Sequence, residues 1–114
     1  MTVTGAHVLL YSPEADALRS TLNDVFGWHS VDAGGGWLIF ALPPAEVAVH
    51  PADSPSQELT LMCDDLDATI AELKGKGIEF KGEPHEERWG TITTMVLPGG
   101  VDVLLYHPKH PTAI

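Results

Sequence analysis

The chain has a single cysteine, Cys63, in 114 residues. That excludes an intramolecular disulfide and any multi-cysteine zinc site. Cys63 lies in an apolar, strand-like run, which reads as a buried, inert thiol. Positive charge is scarce as well: six Lys and Arg stand against sixteen Asp and Glu, for a formal net charge of −10. Such a chain repels phosphate backbones and anionic lipid, so neither nucleic acid nor a membrane surface is expected as a partner. There is no apolar run able to span a bilayer, since the longest, "WLIFALPPAEVAV", is broken by Pro43 and Pro44 and carries Glu46. The opening "MTVTGAHVLL" has neither a basic lead nor a cleavage signature, and a cytoplasmic location is the expectation. No spacing of Ser, His and acid, or of Cys and His, supports a nucleophilic hydrolase.

What the chain does contain is the same pattern twice. With 44% apolar and 19% charged residues it reads as one ordinary globular domain over residues 1–114. "AHVLLYS" alternates as a strand, and helical period follows, with Ala15, Leu18, Leu22 and Val25 on one side. Ser12 is placed to cap that helix, Pro13 suits its first position and Gly27 its end. "ELTLMC" alternates in turn, Asp64 or Asp65 caps a second helix burying Leu66, Ile70 and Leu73, and Gly75 and Gly77 stop it. Each copy continues into strand-like material with an "LP" turn (Leu42–Pro43, Leu97–Pro98) and a strand closing in "HP" (His50–Pro51, His107–Pro108). The expected architecture is α+β: two βαβββ modules in tandem, about 1–54 and 55–114, whose curved mixed sheets form a cup.

From "GAHVLLYS" through "LMCDDLDATIAEL" to "LPGGVDVLLYHP" the chain resembles the vicinal oxygen chelate superfamily, which includes glyoxalase I, extradiol dioxygenases, fosfomycin-resistance enzymes and bleomycin-binding proteins. That superfamily hosts isomerases, dioxygenases, transferases and non-catalytic binders on one scaffold. The resemblance implies a metal held by the first residue of each opening strand and by one residue on each module's last strand. The opening positions are His7 and Glu58, and both types suit a divalent ion such as zinc, iron, manganese or nickel. The last-strand positions match Leu104 and Ala48, which cannot ligate. Two residues along lie Glu46 and His50 in the first module, and Asp102 and Tyr106 in the second. His50 or Glu46 is the candidate third ligand or general base.

Alternation puts Tyr11 on the face of His7, and Thr60 and Met62 on the face of Glu58. At the mouth of the cup, Trp89 could wall a planar ligand and Arg88 could hold a carboxylate or phosphate; Trp37 is a second stacking candidate. Gly34 to Gly36 lead into a strand rather than a helix, so they read as a hairpin turn and not a phosphate loop. The closing "YHPKHP" reads as an extended tail that could be pinned on a partner subunit.

Two functions remain open at this stage. One is a divalent-metal-dependent lyase, isomerase or dioxygenase acting on a small oxygenated molecule, with His7, Glu58 and His50 as ligands. The other is a metal-free protein that binds or sequesters a small molecule, as bleomycin-resistance proteins do, in a cup lined by Leu9, Ala48, Met62 and Leu104. Exposed sheet edges and the resemblance lead to a homodimer as the expected assembly.

Overall fold

Two long strands joined by a two-glycine turn organise the second half of the chain. The computed structural model describes residues 7–46 and 48–114. Its elements are helix α1 (Ala15–Asp24), strands β1 (Ser30–Asp32), β2 (Leu38–Phe40) and β3 (Thr60–Met62), helix α2 (Leu66–Gly75), and strands β4 (Glu79–Glu87), β5 (Gly90–Leu97) and β6 (Val101–Pro108). The second half carries the whole βαβββ pattern. Its four strands lie in the order β3-β6-β5-β4, parallel between β3 and β6 and antiparallel elsewhere. A register shift between Lys81 and His85 interrupts the β4–β5 ladder, the kind of bulge that bends a strand. The fold is therefore α+β with a mixed sheet.

Of the two cap candidates for α2, Asp65 serves: its carboxylate accepts the Ala68 N–H at 3.0 Å. Leu66 and Leu73 point from this helix onto one face of the sheet and are buried there with Ile78. The matching sheet residues follow from period two. Met95 and Leu97 on β5 stand opposite Val103 and Val101 on β6, and Leu105 pairs with Thr93. Met95 and Val103 are the most deeply enclosed side chains, at 0% and 1% exposure. Leu18 of α1 joins the same cluster, with Leu22, Val25 and Phe26 packed at its border.

The start of α1 differs from the sequence reading. Ser12 does not cap it; the helix begins at Ala15 behind Glu14, which makes no capping bond. The Ser12 hydroxyl instead accepts the Glu14 N–H at 3.0 Å and donates to the Pro98 carbonyl at 2.8 Å. It thereby fastens the first half to the β5–β6 turn. A close approach demands glycine at that turn: Gly99 has φ +88°, and a Cβ there would collide with the Ser12 side chain.

In the first half, β1 and β2 pair antiparallel through Ser30↔Phe40 and Asp32↔Leu38. The Asp32 carboxylate accepts the N–H groups of Gly34 and Gly36 at 2.7 and 3.2 Å, so the three glycines form a hairpin turn as expected. Strands expected over residues 6–12 and up to His50 are not formed among the described residues; Ala6 and Val47 lie outside those residues. Leu9, Tyr11 and Val49 are 69%, 85% and 92% exposed. Alternation specifies which side a residue would face, whereas a strand also needs a neighbour to accept its N–H groups.

Thr93 sits among the core side chains at 3% exposure, and its hydroxyl has no hydrogen-bond partner among the described residues. An unmet buried hydroxyl is costly. Thr93→Val should therefore stabilise the fold by about 1 kcal/mol, seen as a higher urea midpoint with an unchanged slope.

Candidate functional site

The face of the sheet turned away from α2 is built by the complementary set of alternating residues. Register places Thr60 beside Leu104 and Met62 beside Tyr106, while Leu104 and Tyr106 stand opposite Thr94 and Ile92. Thr60, Met62, Leu104 and Tyr106 therefore lie on one face. At one end, Lys81 pairs with Asp102 at 2.6 Å. At the other end the face becomes aromatic.

Tyr106 is the centre of that end. Trp89, in the β4–β5 turn, meets its ring edge-on, with centroids 5.4 Å apart and planes at 73°. The His110 ring lies 6.2 Å away at 33°. Gly90 makes the arrangement possible: a Cβ there would come within 2.9 Å of the Tyr106 ring and 2.6 Å of the His107 carbonyl oxygen. His110 Nδ1 donates to the Pro111 carbonyl at 2.8 Å. This leaves Nε2 as the acceptor facing the Tyr106 hydroxyl at 3.5 Å. The Tyr106 phenol is held above its ordinary value, first by burial and then by the nearby Glu46 carboxylate. Glu46 in turn accepts the Ala113 N–H at 2.6 Å.

Glu46, Trp89 and Tyr106 are thus brought together, but through Ala113 and through His110, which the sequence reading put in an extended tail that could be pinned on a partner subunit. Residues 109–114 fold back over this chain's own sheet. An open cleft of about 440 Å³ runs beside them, lined by Met62, Cys63, Asp64, His107, Thr112 and Ile114. Cys63 is half-buried there, and burial foremost pushes its thiol up, so it stays protonated and unreactive. Nothing in the residue spacing announced His110; the prolines at 108 and 111 show only that the chain leaves the sheet.

The other candidates lie apart. His7, Glu58 and His50 are exposed, and His50 lines a separate pocket of about 350 Å³ with Asp53 and Pro55. Tyr11 and Arg88 are exposed, and Trp37, exposed too, has the Arg19 guanidinium 5.2 Å from its ring centroid. Among the described residues no three His, Cys, Asp or Glu side chains group so as to hold an ion. Leu104 and Ala48 supply no donor atom, and the residues present do not fit a resident metal.

Residues 5–105 match the Glyoxalase/Bleomycin resistance protein/Dioxygenase superfamily. The chain belongs to this superfamily. Among solved structures it is similar to TnmS3, an antibiotic binding protein from Streptomyces sp. CB03234, with TM-score 0.64, 24% identity, and 96% and 99% of the two chains covered. It is also similar to a lactoylglutathione lyase from Agrobacterium tumefaciens, with TM-score 0.59, 19% identity, and 86% and 88% covered. At these identities the likeness establishes the glyoxalase/bleomycin-resistance fold and no more. The uncharacterized protein YetH of Bacillus subtilis (strain 168) is 28% identical over 77 residues, covering 60% of this chain and 64% of that protein, which is less than two thirds of its length. Members of the superfamily bind small molecules, often with a divalent metal.

The Tyr106 environment can be read by titration. In a Tyr11→Phe chain, where Tyr106 is the remaining tyrosine, tyrosinate absorbance should develop above the ordinary phenol range of about pH 10. Adding Glu46→Gln should lower the midpoint only part of the way, since burial is the larger cause. The stability held by the neutral phenol is complete below its unfolded value and is lost as pH rises through the raised one.

Proposed function

We propose that this chain binds a small planar organic molecule without a metal, stacking it against Tyr106 and Trp89 over the apolar floor of Leu104 and Met62. The observation that carries the reading is an aromatic pair on the open sheet face, with no three imidazoles or carboxylates among the described residues converging for an ion. TnmS3, named an antibiotic binding protein, lends support from the same fold. The formal charge of −10 and the Glu46 carboxylate beside Tyr106 favour a cationic guest. A metal-dependent lyase, isomerase or dioxygenase would need His7, Glu58 and His50 drawn to one point, and all three are exposed.

Titration with proflavine, a planar aromatic cation, tests this through tryptophan emission. Binding should be unchanged in excess chelator, and Trp89→Ala or Tyr106→Ala should weaken it about tenfold, as the loss of one stacking partner warrants. Tight retention of one divalent ion per chain after chelator-free purification, together with loss of binding on chelation, would falsify the metal-free reading and restore the enzymatic one.

The assembly we propose is a homodimer formed through the first half, where Val8, Leu9, Val31, Trp37 and Val49 stand exposed. Light scattering on the purified chain should give twice the 12.2 kDa of one chain. Leu9→Glu combined with Trp37→Glu should halve that mass; a wild-type protein already of single-chain mass would rule the dimer out.

A further inference from the structure

We infer that residues 109–114 are a displaceable strap that holds the stacking position of the proposed site in the ligand-free protein, with the His110 ring as placeholder and Glu46 as latch. The inference rests on the binding reading above and adds how access to that face is controlled.

Sheet pairing ends at Gly90↔Pro108. Beyond it Pro111 has no N–H to offer a neighbouring strand, so the segment is docked by scattered contacts instead of a ladder. Lys109 N–H donates to the Trp89 carbonyl at 2.8 Å, and its ammonium lies 3.4 Å from Glu86. His110 reaches Tyr106 at 3.5 Å, the outer limit of a hydrogen bond. Ala113 is held by Glu46 at 2.6 Å, the shortest of the four. Every residue from Lys109 to Ile114 is exposed. Contacts of this kind break locally without disturbing the core.

Position gives these contacts a role. The His110 ring, tilted 33° to Tyr106 with centroids 6.2 Å apart, stands at the hydroxyl end of the phenol, while Trp89 closes the ring edge at 73°. A guest that covers Tyr106 out to its hydroxyl must therefore take the place of His110. Displacing His110 pulls on Ala113, and Ala113 is tied to the first half of the chain through a carboxylate 67 residues away. Loading the face and releasing Glu46 are thus one event. The released carboxylate then faces the guest with its charge unshared.

Amide hydrogen exchange followed by NMR on the full chain tests the strap without any ligand. The Ala113 amide should exchange at least tenfold more slowly than in an unstructured peptide. Glu46→Ala should restore the peptide rate while the amides of β5 stay protected, which also shows that the variant is folded. Wild-type Ala113 exchanging at the peptide rate, or indifferent to Glu46→Ala, overturns the latch. His110→Ala should bind proflavine at least threefold more tightly than wild type, having lost the competing ring. Equal or weaker binding overturns the placeholder role. If proflavine binds neither protein, the binding reading fails on its own, and the exchange rates still decide the latch.

Discussion

The antiparallel ladder between β5 and β6, eight residue pairs from Gly90↔Pro108 to Leu97↔Val101, is the constraint on which the rest of the molecule depends. Because side chains alternate, one register decides two surfaces at once. Thr93, Met95, Val103 and Leu105 go to the helices and become the core. Thr94, Leu104 and Tyr106 go to the opposite face together with Ile92, which is itself buried there at 6% exposure. A slip by one residue would place Tyr106 under α2 and Val103 in solvent. The ladder's two ends are fixed by residues without ordinary backbone demands: Gly99 and Gly100 at positive φ in the turn, and Gly90 opposite Pro108 where the sheet stops.

Those ends also connect the core to the candidate site. At the turn, Ser12 donates to Pro98 and so anchors the entry to α1, whose Leu18 completes the core. At the other end, the absence of a side chain at Gly90 lets the Tyr106 ring lie down over the backbone and meet Trp89. The site is therefore a consequence of how the sheet terminates, more than of any loop wrapped around it.

This explains what could be read from residue order and what could not. The second βαβββ unit was legible because its signals agree: Asp65 before the helix, Gly77 after it, and period two through "TITTMVL" and "VDVLLYH". The faces of Met62, Leu104 and Tyr106 followed from that alternation. Residues 7–12 carry the same alternation, but pairing is a property of two segments and the pattern of one does not supply the other. Ser12 was misread for a related reason, since a hydroxyl next to a helix start satisfies whichever partner is nearest, and here Pro98 competes. Glu46 stands with His50 as a candidate third ligand or general base in the sequence; what places it beside Ala113 is a return of the chain that local spacing does not encode.

The proposed reading of the open face, an organic guest in place of an ion, turns on Leu104. The resemblance puts a carboxylate at this position in metal-bearing relatives, and that charge is tolerable only when the ion and other donors neutralise it. Here a leucine lies between Thr60 and Thr94, two residues from Tyr106. A divalent ion would lose part of its water there and gain no carboxylate or imidazole from Leu104 or its two threonine neighbours in return. An apolar ring loses nothing by leaving water and gains contact with Leu104, Met62 and the face of Tyr106. Charge is kept to the margins, at the Lys81–Asp102 pair on one side and at Glu46 on the other. A flat molecule with a positive group at one edge would place its ring on the apolar floor and its charge toward Glu46, and in that orientation both of its ends are satisfied.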